Sequence, residues 1–87
     1  MSRAIINDRR ASWSDVDRRR SELRRVAAEC GLTDVRLRDD GALIVHAIDH
    51  GYRSTGRFAV AAAGLVGAYV HVITDDVPAA GGEAVPL

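Results

Sequence analysis

At 87 residues the chain makes one small domain, and a domain of this size buries only about 60% of the surface its unfolded chain exposes, so support from a partner or a second copy is expected. Twelve basic residues, all arginine, balance twelve acidic ones, which argues against a general nucleic-acid or membrane-surface binder working through a long-range positive field. The single cysteine, Cys30, has no internal disulfide partner, and "MSRAIINDRR" lacks an apolar run of signal-peptide length, so a cytoplasmic compartment of bacterial type is expected.

Residues 1–11, polar apart from Ile5 and Ile6, are predicted to form a flexible arm. The stretch "SWSDVDRRRSELRRVAAECGL" then predicts one helix: Ser12 and Asp15 form a capping-box pattern at its start. Val16, Leu23, Val26, Ala27 and Cys30 recur on one face, and Gly31 closes the helix in the left-handed conformation with Leu32 packing back. Charge is unevenly spread, since residues 1–31 hold eight arginines and five acids while residues 32–87 hold four and seven.

"DVRLRDDGALIVHAI" alternates, turns at Asp39-Asp40-Gly41 and runs on through Ala42 to Ile48, a hairpin signal. After "DHGY", Ser54 is expected to cap a second helix reaching about Val66. From Phe58 to Val70 no side chain is polar, a run too short to span a bilayer and therefore read as a buried helix leading into a third strand. The last residues, "VPAAGGEAVPL", contain two prolines and two adjacent glycines and are predicted to form a flexible tail, residues 78–87.

The expected fold is thus α+β, in the order α-β-β-α-β: a single domain over residues 12–77, with a small three-stranded sheet and two helices on one face. The second strand, apolar helix and third strand make a crossover that is right-handed by strong preference. With Val45, Val70 and Val72 directed at the helices, alternation sends Ile44, His46, Ile48, Tyr69, His71 and Ile73 to the other side. That open apolar face, together with Trp13, is the expected partner-binding surface.

Other chemistry is less well supported by the pattern. "HAIDH" offers His46, Asp49 and His50, with His71 on a neighbouring strand, as metal-like ligands, but alternation puts His46 and Asp49 on opposite sides of a continuous strand. Cys30 sits at a helix C-terminus on the apolar side, where a thiolate is disfavoured. Ser54 and Thr55 near His50 read as helix-start residues rather than a catalytic pair. Arg53 and Arg57 in "GYRSTGR" mark a helix start where anions can bind. Arg18, Arg19, Arg20, Arg24 and Arg25 form an alternative nucleic-acid face, although Asp15, Asp17, Glu22 and Glu29 interrupt it.

As a whole, "RRRSELRRVAAECGLTDVRL", "GAYVHVITDDVP" and the closing "EAVPL" resemble the minimal nucleotidyltransferase family, small polymerase-β-like domains that occur beside a toxin partner in bacteria. In that family a Gly-Ser turn, an Asp-x-Asp strand and a third carboxylate hold two metal ions against the triphosphate. Here the first strand passes directly to the second, Asp39 and Asp40 lie in the hairpin, and His71 stands where the third carboxylate would. A lone imidazole does not replace carboxylates around magnesium. The resemblance implies a framework without the enzyme: a non-enzymatic, antitoxin-like protein with no cofactor, binding a toxin-like protein or a second copy of itself.

Overall fold

A computed structural model describes residues 10–47 and 52–87. Two of the residues singled out above for metal binding, Asp49 and His50, lie outside these, as does the expected partner-binding residue Ile48. The elements are α1 (Trp13–Asp17), α2 (Arg20–Glu29), β1 (Leu32–Arg38), β2 (Leu43–Ala47), α3 (Tyr52–Val66), β3 (Val72–Thr74), a 3-10 turn (Pro78–Ala80) and β4 (Ala84–Pro86).

The class is α+β, and its first helical segment starts where the sequence places it. Ser12 accepts from the Asp15 amide while the Asp15 carboxylate accepts from the Ser12 amide at 3.0 Å, so two amides without helical partners are satisfied. The single predicted helix is instead two, because Arg19 leaves helical geometry at φ −114° and ψ 20°. The break lets both pieces bury their apolar side: Val16 from α1 and Leu23 and Ala27 from α2 are fully buried, with Val26 and Cys30 half-buried against them. Gly31 follows at φ +79°, the left-handed closure that a Cβ disfavours.

The sheet has four strands rather than three, in the order β3-β2-β1-β4. β1 runs antiparallel to both β2 and β4, and β2 runs parallel to β3 with Ile44 opposite Ile73. Between Thr33 and Arg36 the β1–β2 register shifts by one residue, a bulge at which Asp34 adopts φ +51°. The hairpin closes with the Arg38 amide donating to Ala42 O at 2.9 Å, and Gly41 stands at φ +90°.

The helices lie over one face of the sheet, where Leu37, Leu43, Val45 and Ala47 meet Val16, Leu23, Phe58 and Ala62. Val70 is buried in the same cluster and Val72 is half-buried against it. The opposite face is not open. β3 and β4 lie at opposite edges of the sheet and point the same way, so residues 75–83 must travel diagonally across a face to join them. Arg38, on the side of β1 away from Leu37, donates from Nη1 to the carbonyls of Ala79 at 2.7 Å and Gly81 at 2.9 Å, which puts the crossing on the side without helices.

This corrects the expectation of an uncovered face and of a loose tail at residues 78–87. Ile44 is fully buried and Ile73 is 5% exposed. The tail offers strand-competent residues, Ala84 to Pro86, to the free edge of β1, and Pro86 loses nothing by lacking an amide at a sheet edge. Leu87 then tucks into the helix-side core, its amide donating to Val35 O at 2.9 Å.

Candidate protein-binding surface

The residues expected to form one apolar face are dispersed. Ile44 and Ile73 are interior, while His46 and Tyr69 are exposed and His71 is half-buried. The Tyr69 and His71 rings stack with centroids 6.2 Å apart, and Arg10 approaches His71 Nδ1 at 3.4 Å and the Asp40 carboxylate at 3.6 Å. This cluster fastens residue 10 beside β3, where Arg10 bridges Tyr69 and the Ala11 amide donates to Tyr69 O at 2.7 Å.

His46 does not lie beside His71. The parallel register sets Val72 against Leu43, which leaves the two histidines about four positions apart along the sheet, roughly 13 Å. His46 Nδ1 instead meets the Asp75 carboxylate at 3.1 Å, with the histidine side chain 50% exposed. Among the described residues no group of three or more His, Cys, Asp or Glu is placed to hold a metal ion. Ser54 lies inside the first turn of α3 rather than before it, so it is not the N-cap. Cys30 is half-buried at the end of α2.

The arginines proposed for nucleic acid are largely engaged within the chain. Arg18 pairs with Asp15 at 3.3 Å, Arg19 with Glu22 at 3.4 Å and Arg20 with Asp17 at 2.7 Å. Arg24 donates to Leu87 O at 3.2 Å. The helix-breaking turn at Arg18–Arg19 also interrupts the continuous basic stripe that a phosphate backbone would follow.

Among the described residues, the exposed large apolar side chains are Trp13, Val60, Tyr69, Val77 and Val85. Two of these border a groove. Trp13 begins α1 and is set by the Ser12 cap and by close packing of the Ala11–Trp13 backbone on Gly41, where a Cβ would stand 2.6 Å from Ala11 O. Val85, opposite Leu37 in the β1–β4 register, faces the same side. Trp13, Leu37, Asp39, Glu83, Ala84 and Val85 line a groove of about 470 Å³ with an apolar floor and two carboxylates at its rim.

A second surface lies on α3. Phe58 and Ala62 turn into the core, which leaves Val60 75% exposed on the far side. Arg53, Gly56, Arg57, Val60 and Ala61 enclose a shallow apolar notch. The apolar run is therefore not a buried helix: its 3.6-residue spacing directs some members outward, a signal the sequence contained but its lack of polar residues masked.

The Asp40 carboxyl is held well below its ordinary range. The hydrogen bonds from Arg38 to its carboxylate, joined by the Ala42 amide and the Arg38 and Arg10 charges, outweigh desolvation and lower its pKa to about 2. The same hydrogen bonding raises the Arg38 pKa. Asp40 is thus a structural anion at the hairpin.

No protein-family model, curated protein or solved structure matches this chain. Its chemistry must be read from its own residues. None of the helices among the described residues is long and apolar enough to cross a membrane.

Proposed function

We propose that this is a non-enzymatic protein-interaction domain that binds another polypeptide through the groove at Trp13. The observation that carries the reading is the groove itself: a 39% exposed tryptophan and a 50% exposed valine flank an apolar floor with acids at the rim. A desolvated centre with an aromatic anchor inside a polar rim is the pattern from which protein interfaces draw most of their affinity. The antitoxin-like role implied by the nucleotidyltransferase resemblance is one case of this reading, in which the domain covers a toxin-like partner's active surface.

The test is co-expression with the product of the neighbouring gene, followed by mass measurement of the purified complex with wild type and with Trp13→Ala. The expected result is a stoichiometric complex that the substitution weakens at least tenfold. A complex indifferent to Trp13 overturns the assignment of the groove. Transfer of label from a nucleoside triphosphate to the partner or to RNA, lost on replacing Asp39 or Asp40, overturns the non-enzymatic reading.

A further inference from the structure

We infer that the groove at Trp13 is complementary to the outer face of α3 on a second copy of this chain, so that copies associate head to tail. The inference rests on the protein-binding reading above and names the occupant.

The two surfaces match in charge. Asp39 and Glu83 stand at the groove rim, and Arg53 and Arg57 stand around the α3 notch. Among the described residues neither Arg53 nor Arg57 has a hydrogen-bond or ion-pair partner, in contrast to Arg18, Arg19, Arg20 and Arg38. Arg53 also lies in the first turn of α3, which holds no acid, so it sits against the positive end of its own helix dipole. Carboxylates supplied from outside relieve that repulsion.

They also match in shape. Gly56 lies inside α3, where glycine is disfavoured relative to alanine. Nothing among the described residues requires it: φ is not in the left-handed region, and an added Cβ would meet none of their atoms within 4 Å. Its missing side chain makes the notch between the Arg53 and Arg57 stems, a place for the Trp13 indole of another copy, with the guanidinium groups against the ring face. In return Val60, 75% exposed, enters the apolar groove between Trp13 and Val85.

The contact joins two different patches, so each copy keeps one groove and one α3 face free, and growth continues unless a ring closes. Apolar burial and the charge pairs together supply the affinity, and the charge pairs also fix which patch meets which.

Sedimentation and light scattering on the full chain test this with two variants. Gly56→Leu fills the notch on one surface while improving helix propensity, and Asp39→Ala/Glu83→Ala removes the rim acids on the other. Circular dichroism checks that both fold. Wild type is expected to grow with concentration beyond twice its 9.4 kDa mass. Each variant alone is expected to associate at least tenfold more weakly, and an equimolar mixture to recover a one-to-one dimer and nothing larger. A wild type that stays monomeric overturns the inference and leaves the groove for a different protein. A wild type that stops at a dimer, Gly56→Leu associating as wild type does, or a mixture that fails to complement also overturns it.

Discussion

The Arg38 guanidinium donates a 2.7 Å hydrogen bond to the carbonyl oxygen of Ala79, forty-one residues later in the chain, while its other nitrogens grip Asp40 at 2.9 and 3.0 Å. One planar side chain thus joins the hairpin to the segment that closes the sheet's second face. Arg38→Lys cannot reproduce this fork, because an ammonium offers a point charge instead of parallel donors. Arg38→Ala is expected to lower the urea midpoint of unfolding and to speed proteolysis within residues 75–83. Unchanged cleavage there would mean that the segment is held by something other than Arg38.

Acid should weaken the same fastening. The Asp40 pKa is lowered in the folded state from 3.8 to about 2, so its contribution is fully present above the unfolded value and disappears as pH falls through the folded one. Stability measured by denaturant titration should therefore drop more steeply for wild type than for Asp40→Asn between about pH 5 and pH 2. Parallel curves for the two proteins would remove Asp40 as the responsible group.

Charge introduced on either sheet face should unfold the domain. Ile44 and Val45 point to opposite sides, yet both are fully buried. Ile44→Asp and Val45→Asp are each expected to abolish the cooperative thermal transition, since an unpaired buried carboxylate costs several kcal/mol. Tyr69→Asp, at a 50% exposed position, should leave the transition within a few degrees of wild type. A folded Ile44→Asp protein would show that the crossing segment does not seal that face.

Gly41→Ala tests the junction between the hairpin and the first helix. The substitution meets both a left-handed backbone, φ +90°, and a clash at 2.6 Å with Ala11 O, whereas Gly31→Ala meets only the backbone penalty at φ +79°. Gly31→Ala should cost about 1–2 kcal/mol, and Gly41→Ala should cost more, measured under identical denaturant conditions. Equal losses would mean that the Ala11–Trp13 backbone shifts freely away from the hairpin.

Local signals carried most of the secondary structure. The capping box at Ser12, the closure at Gly31, the Asp-Gly turn and the end of α3 near Val66 each depend on a few neighbouring residues and are legible one at a time. The break at Arg19 was not, because no glycine or proline marks it; it arises where α1 and α2 settle separately on the sheet. The side of the sheet to which each residue points followed from alternation, but what covers that side did not. Ile44 is buried because β4 pairs with β1 at the far edge, a long-range fact that "EAVPL", with its proline, does not announce. The groove was partly visible in Trp13 alone; Val85 and Glu83 join it only through that pairing, and Asp39 joins it from the hairpin.

The pairing of Ala84 with Arg38 and of Pro86 with Arg36 also orders events in time. Strand β4 gains its place only after the hairpin exists and after the chain has crossed from β3, so its closure entropy is met last. With three residues in register at the outer edge of the sheet, it has few ladder bonds to lose on opening. Its amides should exchange with solvent ahead of those in β2. Each opening bares the outer edge of β1, a row of unsatisfied donors and acceptors that another extended chain can occupy. The last strand thus acts as a built-in competitor against intermolecular β-pairing, and segments that mimic it are the ones that should displace it.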